Sequence, residues 1–339
     1  MGADPLNLAA PVDLAALTTG NFEEMLLPAA LEDAKVVFYD FTESFTPLFA
    51  ENLIPAFEAQ YPGITVDYNS VDGVQAVQQL IAAMEAGVTS PVDVFFMPND
   101  QVRVANEAGI IANLPLNIML PAAPDLNQMA ATVSRGYMHG GVVVPFHRNQ
   151  TAIGYDTRTV DADQVPETFD EIMAFATAAP GTFAMTSPAG GRSGSGFLES
   201  VILAMSDEEC VAQAMDFSLT PEQAVEWAAS PYLDPEMAYF AALEPLVEIT
   251  NGNTDTLTLI ANGVAKVGTV WEDQAFDFVG RGLLPPSMWV TLLETGQVGD
   301  GDGIMIPAGS ENVAAALLFR QLSVVGRSTG DEGLAQRLA

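Results

Sequence analysis

The sequence predicts an α/β protein of two domains, and three observations predict it. From Lys35 onward, short apolar strands alternate with amphipathic helices. The third strand, VDVFFM (Val92–Met97), is almost continuously apolar, as in a parallel sheet covered on both faces. A length of 339 residues exceeds what one ordinary core organises.

The elements follow in order. Residues 1–34 are an Ala/Leu-rich lead expected to hold one or two short helices. KVVFYD is the first strand. ESFTPLFAENLIPAFEAQ places Phe45, Leu48, Phe49, Leu53 and Phe57 on one helical face, and YPG stops that helix. ITVDY is the second strand. GVQAVQQLIAAMEAG sets Val74, Val77, Ile81 and Met84 at helical spacing, and VDVFFM closes a β-α-β-α-β run. GGVVVPFHRNQTAIGYD reads as two strand-like stretches around a polar tetrad. VPETFDEIMAFATAAPGTFAMTSP reads as turn, capped helix, turn and strand. AGGRSGSGFLESVILAM is a glycine-rich loop entering a helix, and the pattern from 212 to 250 is helical. TLTLIANGVAKVGTVWED is helix end, turn and strand. GDGIMIPAGSENVAAALLFRQLS is a strand and a Ser/Asn-started helix.

Charge and cysteine content exclude several classes. The formal charge is -33, from 44 acids against 11 bases. Nucleic-acid binding needs basic patches, and docking on anionic lipid needs juxtamembrane basic clusters; this chain offers neither. An acidic, strongly solvated surface accounts for most of the charge, and attraction of a cationic ligand is a second role for it. Cys210 is the single cysteine, so neither an intrachain disulfide nor a Cys-based zinc cluster is available. It reads as a helix residue. No apolar run reaches the roughly 18 residues of a membrane span. The opening MGADPLNLAAP lacks a charged n-region and reads as a start placed on a mature sequence.

Ligands of open α/β sheets sit outside the carboxyl ends of the strands. DFTES (Asp40 to Ser44) and PNDQ (Pro98 to Gln101) are polar directly after apolar strands. That makes Asp40, Thr42, Glu43, Asn99 and Asp100 candidates, with helix capping by Thr42 or Asn99 as the alternative. GGRSGSGF could present a helix N-terminus and Ser193 and Ser195 to a ligand, or be a tight turn. It is neither a P-loop nor a nucleophile elbow. FHRNQ brings His147, Arg148, Asn149 and Gln150 together. Arg148 suits a carboxylate or phosphate, or pairs with one of the many acids. GDGDG (Gly299 to Gly303) invites a calcium reading but carries Ile304 where an oxygen ligand belongs and Met305 where Gly is needed, so it reads as a turn. VWEDQAF sets Trp271 beside Glu272 and Asp273. An aromatic face with carboxylates holds organic cations; a core Trp with solvated acids is the alternative. No Ser/His/Asp set stands at a recognisable spacing, and His139 and His147 make no metal box.

The order of these pieces resembles the solute-binding proteins of bacterial ABC importers, in the group that includes receptors for polyamines, thiamine, ferric iron and aminophosphonates. The likeness runs over roughly residues 35–339. It is carried by VVFYDFTESFTPLFAENLIPAFEAQYPGITV, SPVDVFFMPND, VPFHRNQTAIGYDT, VPETFDEIMAFATAAPGTFAMTSP, LIANGVAKVGTVW and GIMIPAGSENVAAALLFRQL. The resemblance implies a type II periplasmic-binding-protein fold. Each of its two lobes is a mostly parallel sheet flanked by helices, and a ligand is clamped between them by hinge closure. By similarity, 1–34 is a helical lead, 35–144 with 266–308 forms lobe one, and 145–265 with 309–339 forms lobe two. In polyamine receptors a Trp and a nearby Asp occupy the matching late loop, which Trp271 with Glu272 or Asp273 fits loosely. The adjacent tyrosines of ferric-iron receptors have no counterpart in this sequence.

The resemblance thus implies a periplasmic, monomeric receptor for a small polar organic molecule, delivering to an ABC permease, without cofactor, bound metal, nucleic acid or catalysis. Asp40, Glu43, Asp100, Glu272 and Asp273 favour a cationic or zwitterionic ligand, polyamine- or thiamine-like. Arg148, His147 and the 190–196 loop favour a phosphate- or phosphonate-bearing one. The reading from another class is an enzyme on the same scaffold, which would need a nucleophile facing the cleft; Cys210, Lys35 and Lys266 are poorly placed for that. A receptor serving chemosensing is a third reading.

Overall fold

A computed structural model describes residues 12–42, 45–114, 132–214, 219–229 and 231–325. The chain divides into two compact units, one running to His147 and resuming at Gly301, the other Arg148–Asp300. In chain order the first unit holds α1 (Phe22–Asp33), β1 (Lys35–Asp40), α2 (Thr46–Leu48), a π-helical turn (Phe49–Leu53), α3 (Ile54–Gln60), β2 (Thr65–Ser70), α4 (Gly73–Glu85), β3 (Val94–Pro98), α5 (Val102–Glu107), and a hairpin of β4 (Val133–Ser134) and β5 (Tyr137–Met138). Strand β6 (Val144–Asp156) carries the chain into the second unit. There follow α6 (Phe169–Ala178), β7 (Phe183–Thr186), α7 (Arg192–Met205), α8 (Glu208–Ala214), α9 (Pro221–Ala228), α10 (Asp234–Leu243), β8 (Glu248–Thr250), α11 (Asn253–Ala261), β9 (Val267–Trp271), α12 (Glu272–Gly280) and β10 (Met288–Thr291). Strand β11 (Gly299–Met305) returns the chain to the first unit, where α13 (Val313–Val325) lies.

In the first unit β1 pairs in parallel with both β2 and β3, and β11 runs antiparallel to β3. Side chains of a strand alternate between faces. Val94 and Phe96 therefore join one apolar cluster, with Phe38, Phe49, Phe57 and Phe319. Phe95 and Met97 join another, with Val77, Leu80, Val102 and Ala105. That division is why VDVFFM is apolar throughout. One polar residue interrupts it: Asp93 is buried and accepts from Val37 N at 2.8 Å, Ser310 Oγ at 2.7 Å, and Asn312 Nδ2 and N at 2.9 and 3.3 Å. Its carboxylate pins the turn before α13 to the sheet.

The helical run from Thr46 to Gln60 buries Phe49, Ile54 and Phe57, with Phe45, Leu48 and Leu53 packed beside them. In α4 the face differs from the expected one. Ala76, Val77 and Leu80 are buried, whereas Val74 and Met84 are exposed. Both rows have helical spacing; the small Gly73 and Ala76 allow the closer approach to the sheet, and a Cβ on Gly73 would lie 2.7 Å from the Pro98 ring.

In the second unit β6 pairs antiparallel with β9 and β10, and β7 lies parallel between β9 and β8. The stretch expected to be helical from 212 to 250 ends in a strand, because Glu248–Thr250 extends the ladder of β7. Helix α7 packs tightly over the end of β7. A Cβ on Gly194 would lie 2.0 Å from the Thr186 carbonyl oxygen, and one on Gly196 would lie 2.3 Å from Thr151 Oγ1. Gly194 and Gly196 are thus explained by close helix–strand contact. Beneath them runs a buried hydroxyl chain: Thr250 to Thr256 at 2.7 Å, Thr256 to Thr186 at 2.8 Å, and Ser193 to Thr186 at 2.9 Å.

The boundaries of these units differ from those expected. Residues 266–300 fall in the second unit, because β9 pairs with β6 and β7. Residues from 309 fall with the first, because α13 packs on α1 and β1. The turn expected at GDGDG is also corrected: these residues begin strand β11. Their period-2 alternation puts small glycines on one face and Asp300 and Asp302 on the other. A Cβ on Gly303 would meet Val143 Cγ1 at 2.3 Å, so the strand needs a glycine there.

Candidate functional site

At the carboxyl ends of β1 and β3 the first unit gathers polar groups. Asp40, the last residue of β1, is buried. Its Oδ1 accepts from Thr42 N at 2.8 Å and its Oδ2 from the Tyr68 hydroxyl at 2.8 Å, with Thr46 Oγ1 3.0 Å further on. Burial pushes the Asp40 carboxyl up to about 6, against the opposing pull of those two bonds. Because β11 is antiparallel to β3, its Asp302 stands opposite Pro98. Asp302 Oδ1 accepts from Asn99 N at 2.9 Å, and Oδ2 lies 3.5 Å from His147 Nε2. The His147 ring sits 4.9 Å from that of Phe45 and 5.9 Å from that of Phe96. Asp100 is exposed and Thr42 half-buried. Glu43 lies outside the described residues.

At the corresponding strand ends of the second unit, two motifs that are 122 residues apart in sequence come together. The antiparallel register of β6 on β9 sets Thr151 opposite Trp271. Just beyond it, Asn149 Nδ2 donates to Asp273 Oδ2 at 3.0 Å, and Gln150 N donates to Glu272 Oε2 at 2.5 Å. Burial raises the Glu272 carboxyl above its ordinary value, the bond from Gln150 opposes this, and neighbouring Asp273 adds to the rise. Both acids also stand in the first turn of α12, where the helix dipole favours them. Trp271 is 6% exposed and Arg148 is exposed.

The GGRSGSGF loop holds a cation of its own. Arg192 Nε bonds Asp300 Oδ2 at 2.7 Å, while Nη1 and Nη2 grip the two oxygens of Glu199 at 2.5 and 2.8 Å. Burial disfavours this guanidinium, but the two carboxylates outweigh it and raise its pKa. Ser195 Oγ accepts from Arg192 Nη1 at 3.0 Å. Ser193 is buried and spends its hydroxyl on Asn253 Oδ1, at 2.7 Å, and on Thr186.

Sequence reasoning passed over Arg192, Glu199 and Tyr68, and set Asp300 and Asp302 aside as parts of a turn. The signals were present. Aspartates two apart in GDGDG share a strand face, and Arg192 and Glu199, seven apart, share a helix face. Among the described residues no group of three or more His, Cys, Asp or Glu is placed to hold a metal ion. Nor is any described helix long and apolar enough to cross a membrane.

Two α/β units, each with parallel strand pairs in its sheet, flanking helices and polar strand ends, define a binding-protein fold of type II. The chain belongs to the bacterial extracellular solute-binding proteins, whose family model matches residues 52–324. Solved structures share the fold. The spermidine/putrescine substrate-binding protein PotD of Streptococcus pneumoniae superposes with a TM-score of 0.57 at 14% identity, over 86% of this chain and 78% of that one. The Atu4243 GABA receptor gives 0.59 at 16% identity, over 89% and 80%. Iron-bound HitA of Pseudomonas aeruginosa gives 0.56 at 14%, over 89% and 84%. No curated protein sequence matches the chain significantly.

Proposed function

We propose that this protein is the periplasmic receptor of an ABC importer, and that its solute is a small cationic or zwitterionic organic molecule. One observation carries the choice of charge. The strand ends of the second unit hold Glu199, Glu272, Asp273 and Asp300 against Arg148 and Arg192, and Arg192 is already neutralised by two of those acids. Those of the first unit hold Asp40, Asp100 and Asp302 against His147. An ammonium or similar cation gains from such an excess of carboxylates. A phosphate-bearing solute would have to compete with Glu199 and Asp300 for Arg192. The likeness to a polyamine receptor and a GABA receptor supports a ligand carrying an amino group. In this reading the receptor acts as a monomer, delivers to a membrane permease and needs no cofactor.

Thermal unfolding against spermidine, putrescine, thiamine, betaine and GABA, with aminophosphonates and sugar phosphates as the opposing arm, tests it. A ligand at about 100 times its dissociation constant adds about 2.7 kcal/mol, a shift of several degrees for units of this size. A shift with the amines and not with the phosphorylated compounds is expected. A shift with phosphorylated compounds alone refutes the assignment. Trp271→Ala should weaken the active amine by about tenfold or more if the indole faces the solute; unchanged affinity removes Trp271 from the site.

A further inference from the structure

The second unit carries a feature that the strand-end groups leave unused. Glu236, in the first turn of α10, is 1% exposed. Its Oε1 accepts from the Ser206 hydroxyl at 2.6 Å, and its Oε2 has no hydrogen-bond partner. A buried carboxylate with one oxygen unsatisfied is unfavourable unless a cation or donor lies within reach. Ser206, the residue that ends α7, also lines a surface groove of about 470 Å³ with Leu203, Glu208, Val211 and Ala212. The serine proton is committed to Glu236, so the hydroxyl oxygen can offer only its lone pairs to an occupant of the groove. The groove therefore presents an oriented acceptor backed by a buried carboxylate, a second carboxylate from Glu208, and an apolar lining from Leu203, Val211 and Ala212.

We propose that this groove is a second binding site, distinct from the strand-end groups, and that it takes an alkylammonium. The ammonium donates to Ser206 Oγ and is balanced by Glu236 and Glu208, while the alkyl arm lies on Leu203 and Val211. The same chemistry comes from a free small amine or from a lysine side chain of a partner protein. An acidic periplasmic protein with only two lysines of its own does not supply it internally.

The test is a titration of the isotope-labelled full chain with butylammonium, followed by backbone amide shifts. Saturable shifts confined to 203–212 and Glu236 are expected, with n-butanol giving none at equal concentration. Glu236→Gln and Ser206→Ala should each weaken binding by about tenfold or more, since each removes part of a charge-assisted contact. Ala212→Trp covers the exposed rim and leaves the Ser206–Glu236 pair intact, so loss of binding there is not loss of fold. N-acetyl-lysine amide saturating the same amides assigns the site to partner lysines; saturation by butylammonium alone assigns it to free amines. No saturable shift, an equal response to butanol, or undiminished binding in Glu236→Gln overturns the proposal.

Discussion

Asp40→Asn should stabilise the protein at neutral pH. Burial raises the native Asp40 carboxyl from 3.8 to about 6. The native state therefore binds this proton more tightly than the unfolded chain does. Where the native state holds more protons, stability falls as pH rises. The loss accumulates between about pH 4 and pH 6, and the full difference is roughly 3 kcal/mol at 1.36 kcal/mol per tenfold. Asparagine carries no charge to desolvate. Its Oδ1 still accepts from Thr42 N, its Nδ2 donates to the Tyr68 hydroxyl, and that hydroxyl turns to Thr46 Oγ1, 3.0 Å away. Urea unfolding of both proteins at pH 7.5 and pH 4 gives the comparison. The variant should gain up to about 3 kcal/mol at pH 7.5 and only a fraction of that at pH 4. A variant less stable at pH 7.5, or a gap that does not depend on pH, refutes the reasoning. If Asp40 also meets the solute, the same variant binds the active amine more weakly, because a group kept ionised at such a cost has been retained for binding.

Other perturbations have equally definite outcomes. Arg320 is fully buried in the first unit, its Nε and Nη2 have no partner, and burial pushes it down to about 9. Arg320→Met should raise stability by about 2 kcal/mol or more, read as a higher urea midpoint, and a lower one means that the guanidinium is compensated. Asp93→Ala strands Val37 N, Ser310 Oγ and the Asn312 groups in a buried site, so a loss of about 3 kcal/mol or more is expected by the same measurement. Gly194→Ala drives a methyl into the Thr186 carbonyl and should lower the melting temperature of the second unit, by about 2 kcal/mol of stability, whereas an unchanged melt would show that α7 can shift.

Local pattern was enough for the elements whose cause is local. VDVFFM announced a strand covered on both faces, and Val94 with Phe96 and Phe95 with Met97 divide between two clusters. The Phe-rich helix buries Phe49 and Phe57 as its spacing requires. The polar residues after β1 and β3 mark strand ends that the structure also populates with polar bonds. Where two rows of residues satisfied one period, as in α4, the choice fell to which row was small enough to approach the sheet.

What depended on pairing across the chain was not legible. Nothing near GDGDG says that β11 will lie antiparallel to β3, yet that register turns the segment from turn to strand and brings Asp302 to Asn99 and His147. Likewise FHRNQ and VWEDQ are each only polar until β6 and β9 align and join Asn149 to Asp273 and Gln150 to Glu272. The sequence by itself determined an acidic α/β chain with polar strand ends, because composition and hydrophobic period act through near neighbours, and the order of its segments carried the resemblance to the family. The tertiary structure decided the limits of the two units and which charges are spent on one another, because hydrogen bonds and ion pairs act over a few ångströms and only the folded chain brings residues 122 or 203 positions apart within that reach.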